Sequence, residues 1–160
     1  MNSFYNQQTI AGKVSLSGTG VHSGKKTNLT IRPAKENHGI KFRRIDLPGT
    51  PDIPALFKLV VDTSLATVIG DNGVIVSTIE HLMASFAGLG IDNALVEVDD
   101  YEIPIMDGSA REFTRAITDV GVVDQDKPKH LFIVNEPIEI SQGDKLVRVE
   151  PEHCFKISCI

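Results

Sequence analysis

The sequence predicts an α+β fold in which a small β-sheet carries two helices on one face. Short runs of alternating apolar and polar residues, separated by glycine-containing turns, fill residues 10–44 and are typical of strands. Residues 77–90 and 109–121 instead repeat apolar residues every three or four positions, which is the period of an amphipathic helix. Sheet and helices must bury their apolar faces against each other, so we expect one shared core.

The first strands are expected at residues 10–16, 28–32 and 40–44. Between the first two lies a glycine-rich loop, residues 20–26 (GVHSGKK), which carries His22. Glycines let a backbone approach a ligand closely and lysines attract anions, so this loop is a candidate binding site. A solvated hairpin loop would have the same composition, and both interpretations stay open.

A proline-containing connector at residues 47–54 precedes the next strands. These are expected at residues 64–69, 74–77, 94–98 and 102–105. The first pair flanks Asn72 and Gly73, which tolerate the positive φ of a tight hairpin turn. The second pair predicts a hairpin around Asp99 and Asp100.

The first helix is expected to begin with a capping box. Ser77 and Glu80, three residues apart, would each bond an unpaired backbone N–H of the first turn. The apolar stripe of this helix consists of Ile79, Leu82, Met83, Phe86 and Ala87. Gly88 and Gly90 are expected to end the helix, because glycine readily adopts the left-handed conformation found at helix C-termini.

The second helix repeats this pattern. Ser109 and Glu112 predict another capping box, and Gly121 is the expected end. The apolar stripe consists of Ala110, Phe113, Ile117 and Val120. Asp107, just ahead of this helix, is either a turn residue or an acid that helps to position a site.

The chain is expected to contain one complete domain and part of another. Residues 1–123 form the predicted first domain, and the polar, charged residues 124–129 (DQDKPK) are predicted to be a linker. Strand-like sequence resumes in residues 130–160 and predicts the first strands of an incomplete second domain.

Composition limits the classes of function. The chain has 160 residues, of which 41% are hydrophobic and 23% charged, as in ordinary globular proteins. A net charge of −5 without a basic cluster argues against a nucleic-acid partner. No apolar run approaches the roughly 18 residues that a membrane span needs, and the polar N-terminus does not resemble a secretory signal. With two cysteines and no disulfide framework, we expect a protein of the reducing cytoplasm. We also expect a monomer.

Glu80 and His81 are adjacent at the predicted start of the first helix, and two interpretations of them are open. In the first, Glu80 caps the helix and His81 is a partly buried side chain with one hydrogen bond. In the second, His81 binds a metal through its neutral imidazole, and Glu80 is the base that takes a proton from metal-bound water. The small residues Ala84, Ser85 and Gly88 on the same helix face leave room for a ligand.

Four motifs carry a resemblance to a known family. They are residues 20–25 (GVHSGK), 77–82 (STIEHL), 88–93 (GLGIDN) and 102–109 (EIPIMDGS). Together they resemble the zinc-dependent UDP-3-O-acyl-N-acetylglucosamine deacetylases over essentially the whole chain. The resemblance implies the first half of a two-domain β-α-α-β sandwich from a Gram-negative bacterium. It also implies the committed step of lipid A synthesis, in which the N-acetyl group of an acylated nucleotide sugar is hydrolysed to acetate and a free amine.

The resemblance also implies roles for particular residues. His81 matches a zinc ligand and Glu80 the general base. His22 matches a residue that lines the active-site cleft, and Asp107 an acidic position near the site. A segment that borders the cleft is matched by Ser64, Leu65, Ala66 and Thr67.

The chain departs from the family pattern in its metal ligands. A catalytic zinc site needs about three protein ligands, and the resemblance implies that a histidine and an aspartate come from the second domain. A zinc site built instead from His81 with His130, His153 and Cys154 is the alternative. We therefore expect an N-terminal fragment that is inactive alone. The competing hypothesis is a non-catalytic module that binds a nucleotide sugar around His22.

Overall fold

The computed structural model describes residues 5–159, in which the chain forms twelve strands and two α-helices. The strands are β1 (Asn6–Ile10), β2 (Val14–Thr19), β3 (Lys26–Pro33), β4 (Ile40–Arg44), β5 (Asp52–Pro54), β6 (Val60–Asp62), β7 (Val68–Asp71), β8 (Val74–Val76), β9 (Ala94–Val98), β10 (Val122–Pro128), β11 (Ile138–Gln142) and β12 (Lys145–Val149). The helices are α1 (Glu80–Leu89) and α2 (Arg111–Val120), and a 3-10 turn at Phe57–Leu59 precedes β6. The chain divides into two compact units, with the boundary between Lys129 and His130.

The main sheet of the first unit has five strands in the order β2-β3-β9-β4-β5. β9 lies in the middle, antiparallel to β3 and parallel to β4. The predicted hairpin around Asp99 and Asp100 is therefore wrong. Residues 102–105 do not return along β9, because β3 and β4 already occupy both of its edges. Glu102 instead forms a parallel bridge with Ser77, just ahead of α1.

One apolar core joins the sheet to both helices. Alternate residues of β3 and β9 are buried, so that only one face of the sheet is covered. The core brings together Leu29, Ile31, Phe42, Val96 and Val98 from the sheet and Leu82, Phe86, Phe113 and Ile117 from the helices. Each such side chain contributes on the order of 1.5–3 kcal/mol through burial. The predicted α+β fold, with two helices on one face of a sheet, is confirmed.

The ends of the first unit pair with each other. β1 runs antiparallel to β10. Residues 124–128 therefore belong to a strand, and the prediction that they form a linker is wrong. The expected strand at residues 10–16 is also wrong, because the chain turns between β1 and β2 to join two different sheets. Asn93 fixes this ribbon, since its Nδ2 donates hydrogen bonds to Oε1 of Gln7 and to Oε1 of Gln125, both at 2.8 Å.

A three-stranded sheet, β6-β7-β8, precedes α1. Its tight turn is at Asn72 and Gly73, with φ of 49° and 81°, as the sequence predicted. The strand expected from residue 64 starts only at Val68. Residues before it turn instead, because Asp62 Oδ1 accepts hydrogen bonds from the amide and the hydroxyl of Ser64, at 3.0 and 2.8 Å.

Neither predicted capping box forms. No side chain caps α1 or α2, whose N-cap residues are Ile79 and Ala110. The predicted helix ends at Gly90 and Gly121 are confirmed: Gly90 ends α1 with a φ of 71°, and Gly121 ends α2 with a φ of 89°. Gly88 does not end α1 but lies within it. Most of the predicted apolar stripes face the core, but Ala87 is exposed.

The second unit contains one antiparallel hairpin, β11-β12, in its described part. Every residue of both strands is exposed. The strand predicted over the final residues does not form in residues 155–159, nor does strand structure begin before Ile138. Cys154 and Cys159 are both free and exposed. Over residues 5–159, neither helix combines the length and the hydropathy required to cross a membrane.

Candidate active site

Glu80 and His81 are the first two residues of α1, and a short strand-like contact fixes the chain just before them. The amide of Ser77 donates to the carbonyl of Tyr101 at 2.7 Å, and the amide of Ile103 donates to the carbonyl of Ser77 at 3.0 Å. Ser77 is thus held by backbone pairing and is not the helix cap that its side chain suggested. The pairing places α1 next to the segment that carries Glu102.

Thr78 makes the bend from that contact into the helix. Its φ is 61°, in the left-handed region that β-branched residues rarely adopt. The side chain is 2% exposed, and its hydroxyl donates to Oε1 of Glu102 at 3.1 Å. The surrounding structure therefore holds a strained residue directly beside the start of α1.

Glu102 is fully buried and also holds the glycine-rich loop. Its Oε1 accepts the amide of His22 at 2.9 Å and its Oε2 accepts the amide of Ser23 at 2.7 Å. Burial alone would raise the pKa of Glu102, but the hydrogen bonds from Ser23, His22 and Thr78 lower the pKa by more, so that it lies below its ordinary value. The carboxylate is ionised at neutral pH.

The loop presents His22 outward. The side chain of His22 is exposed, whereas its backbone is tied down by Glu102. Nearby, the Lys25 ammonium lies 3.4 Å from Oδ2 of Asp100 and 5.7 Å from the centre of the Tyr101 ring. The loop is therefore more fixed than a solvated hairpin turn, at least in its backbone.

Glu80 contacts the segment that the resemblance placed at the edge of the cleft. Its Oε2 accepts the amide of Thr67 at 3.1 Å, and the amide of Ile79 donates to the carbonyl of Thr67 at 3.4 Å. Leu65 is 82% exposed, while Ala66 is half-buried. The structure thus brings Thr67 to Glu80, with Leu65 projecting from the same short segment.

His81 is half-buried, and its side chain has no hydrogen-bond or ion-pair partner within residues 5–159. One turn further along α1, the hydroxyl of Ser85 lies 3.2 Å from the carbonyl oxygen of His81 and 2.9 Å from that of Ala110. Ser85 also accepts the hydroxyl of Thr114 at 3.1 Å. These contacts join the first turn of α1 to the start of α2.

Asp107 lies apart from these contacts. Its Oδ1 accepts the hydroxyl of Ser109 at 2.8 Å and the amide of the same residue at 3.0 Å, which holds the pKa of Asp107 below its ordinary value. The hydroxyl of Ser109 in turn accepts the amide of Arg111 at 3.1 Å. Asp107 is exposed and shapes the turn before α2, in agreement with one of the two interpretations from the sequence.

Two residues of this site were missed from the sequence alone. Thr78 and Glu102 join the loop to the helix, but Glu102 was assigned to an ordinary strand. The available signal was an acidic residue that stands directly before Ile103 and Pro104 in an otherwise apolar run. Such a carboxylate is rarely buried unless hydrogen-bond donors surround it.

The residues present do not fit a complete zinc site. Nowhere in residues 5–159 do three His, Cys, Asp or Glu side chains come together as metal ligands would. His81 is one available ligand, whereas a catalytic zinc takes about three from the protein.

Comparison of the sequence with known proteins identifies its family. The chain matches the family model for UDP-3-O-acyl N-acetylglycosamine deacetylase, LpxC, across residues 7–160. A protein named UDP-3-O-acyl-N-acetylglucosamine deacetylase from Myxococcus xanthus (strain DK1622) is 50% identical over 157 residues, which are 98% of this chain and 50% of the relative. One of the same name from Xanthomonas campestris pv. campestris (strain B100) is 42% identical over 151 residues, 94% of this chain and 50% of that protein.

The chain spans about half the length of these curated relatives. The family match nevertheless covers nearly all of its residues, including the glycine-rich loop, the start of α1 and the turn before α2. The chain belongs to the UDP-3-O-acyl N-acetylglycosamine deacetylase family.

Proposed function

We propose that the whole protein is a zinc-dependent deacetylase that removes acetate from UDP-3-O-(3-hydroxyacyl)-N-acetylglucosamine, the committed step of lipid A synthesis in Gram-negative bacteria. The family match and the names of the relatives support this reaction. One structural observation carries the proposal. Glu80 and His81 stand side by side at the start of α1, and the carboxylate of Glu80 is oriented by the backbone of Thr67.

Glu80 is the proposed general base. Its Oε2 accepts the amide of Thr67, while Oε1 accepts no hydrogen bond from residues 5–159. Oε1 is therefore available to take a proton from the water that attacks the acetyl carbonyl. The water oxygen bonds to the carbonyl carbon. The C–N bond then breaks as the nitrogen takes up a proton, which balances the proton that the water gave to Glu80, and acetate and a free amine result.

His81 is proposed to supply one ligand to a zinc ion, with the others contributed by parts of the protein outside this chain. Zinc bound there would polarise the acetyl carbonyl as a Lewis acid. The exposed His22 and Leu65, together with Ala66, Thr67 and Asp107, are proposed to line the substrate site. Because one ligand does not hold zinc in a catalytic geometry, we propose that the 160-residue chain is inactive alone.

The test is acetate release from the nucleotide-sugar substrate by the protein translated through to its native stop codon. Glu80→Gln should lower kcat by about 100- to 10,000-fold, because glutamine keeps the size of the side chain but cannot act as a base. Glu112→Gln, the same change at an exposed glutamate of α2, should leave kcat unchanged. A zinc chelator should abolish activity, and His81→Ala should weaken retention of the metal.

Either of two results would reject parts of the proposal. If the longer protein releases no acetate, the enzyme hypothesis fails, and a nucleotide-sugar-binding module becomes the better account. Acetate release by the 160-residue chain alone, lost in Glu80→Gln, would show that this part already holds a working site.

The proposal includes a cytoplasmic monomer that acts on a small-molecule substrate. The free, exposed Cys154 and Cys159 support a reducing compartment. Sedimentation of the longer protein at working concentration would measure its mass, and a dimer would contradict this part.

A further inference from the structure

The carboxylate of Glu102 is the point at which two parts of the site meet. It is fully buried, and three donors from two separate segments bond it. The amides of His22 and Ser23 come from the glycine-rich loop, and the hydroxyl of Thr78 comes from the entry to α1. A buried charge with this set of donors is stable in one arrangement of those segments, because each donor is strongly directional.

The backbone on both sides lies close to this carboxylate. Thr78 has a φ of 61°, a strained conformation that its hydrogen bond to Glu102 helps to hold. A Cβ atom built on Gly20 would lie 2.7 Å from Cδ of Glu102 and closer still to its Oε2. The loop therefore closes onto the carboxylate with no space for a side chain at Gly20.

We propose that Glu102 is a positioning residue, whose buried carboxylate fixes the turn at His22 and Ser23 against the entry to α1 so that His22 and the Glu80-His81 pair serve one substrate. This inference rests on the proposed deacetylase function. Glu102 itself does not contact the reacting groups. It acts through Thr78, two residues before Glu80, and through the backbone of His22.

Glutamine at position 102 has nearly the same shape but cannot make the same bonds. Both oxygens of Glu102 accept backbone amides, Oε1 from His22 and Oε2 from Ser23. A glutamine amide would replace one acceptor by an NH₂ donor, which would face a backbone N–H. Glu102→Gln should therefore break the hydrogen bond to the amide of either His22 or Ser23 while preserving side-chain volume.

The experiment measures both geometry and catalysis. In the 160-residue chain, the amides of His22 and Ser23 should exchange hydrogen at least about tenfold faster in Glu102→Gln than in the parent. In the longer protein, the same change should lower kcat per folded molecule by about 10- to 100-fold, with a smaller effect on KM. Glu112→Gln is the matched control and should change neither quantity.

Two variants of Thr78 separate positioning from general stability. Thr78→Val removes the hydroxyl and should lower kcat per folded molecule, whereas Thr78→Ser keeps the donor and should retain kcat within about threefold. This pair decides the proposal even if Glu102→Gln does not fold. Equal kcat in Thr78→Val and Thr78→Ser would then overturn it.

The remaining outcomes are also decisive. Unchanged amide exchange in Glu102→Gln overturns the proposal, as does faster exchange with kcat per folded molecule within about twofold of the parent. A parent protein that releases no acetate rejects the proposed function instead. The exchange of His22 and Ser23 then decides alone whether Glu102 fixes the loop.

Discussion

Thr78 shows how single residues shape this site. Five residues other than glycine have positive φ in the described part of the chain: Asn37, Thr50, Asn72, Thr78 and Met106. Only Thr78 among them is β-branched and buried, and such a conformation costs on the order of 1–3 kcal/mol. Because Thr78 lies directly before Ile79 and Glu80, its strained conformation sets the direction in which α1 starts.

The ionised state of Glu102 gives a prediction at the same scale. Its pKa lies below the ordinary value of 4.5, so the folded state favours the charged form more than the unfolded state does. The resulting stability is fully present above the unfolded pKa and is lost as the pH falls through the lowered, folded pKa. Glu102→Gln should therefore lower the free energy of unfolding at pH 7 by about 1–3 kcal/mol, and by less in acid.

Urea unfolding of the parent and the variant between about pH 3 and pH 7 measures this difference. Glu112→Gln serves as the control, because its side chain is exposed. The parent and the variant differ only at position 102, so the comparison isolates the contribution of this side chain. A difference that stays constant as the pH falls would contradict an ionised Glu102 in the folded state.

The candidate site was predictable only where its residues adjoin in sequence. The pair Glu80 and His81 and the loop at His22 are visible in the sequence, because one motif contains each of them. The contact of Glu102 with His22 spans 80 positions, and no local pattern encodes it. The bond of Thr67 to Glu80 spans 13 positions and depends on where the small three-stranded sheet ends.

At the scale of elements, helix ends were predictable where backbone conformation decides them. Glycine at positions 90 and 121 adopts a positive φ that few other residues tolerate, so both C-termini followed from residue type. The helix N-termini were less predictable, because a serine caps a helix only if its side chain does not bond another group. Ser77 is held by its backbone pairing with residues 101–103, and Ser109 bonds Asp107 and Arg111, so neither forms a capping box.

Two glycines of α1 should respond to alanine in opposite directions. Gly88 is exposed and lies within the helix, and apart from its chain neighbours and the adjacent helix backbone, no atom lies within 4 Å of the position that a Cβ would take there. Gly88→Ala should therefore stabilise the fold by about 0.5–1 kcal/mol. Gly90 has a φ of 71°, and a Cβ there would lie 2.7 Å from Oε1 of Gln8. Gly90→Ala should destabilise the fold by about 1 kcal/mol or more.

Thermal unfolding of the two variants beside the parent makes the comparison. Because both changes add the same methyl group within three residues of each other, nonspecific effects are matched. Equal shifts of Tm would contradict the positions assigned to Gly88 and Gly90. Stabilisation by Gly90→Ala would show that α1 does not end there.

At the scale of the whole molecule, long-range pairing was the least predictable feature. β9 inserts between β3 and β4, and β10 returns to β1 across more than a hundred residues. The alternation of apolar residues predicted that β9 is a strand, but not which neighbours it takes. The polar sequence of β10 suggested a linker because its side chains are mostly exposed, while its backbone completes a ladder.

This pairing predicts where the chain can be shortened. Every fully buried core residue among residues 5–159 lies at or before Ile117, so a chain that ends at Lys129 should retain cooperative unfolding with a Tm close to that of the parent. A chain that ends at Gly121 lacks β10, and it also loses the hydrogen bonds from Asn93 to Gln125 and from Lys129 to Asp92. With each hydrogen bond worth about 1 kcal/mol, its loss of stability should exceed about 3 kcal/mol.

Calorimetry of both chains measures the difference. If the chain that ends at Gly121 were as stable as the one that ends at Lys129, residues 124–128 would behave as a linker after all, and the β1-β10 ribbon would contribute nothing to the fold.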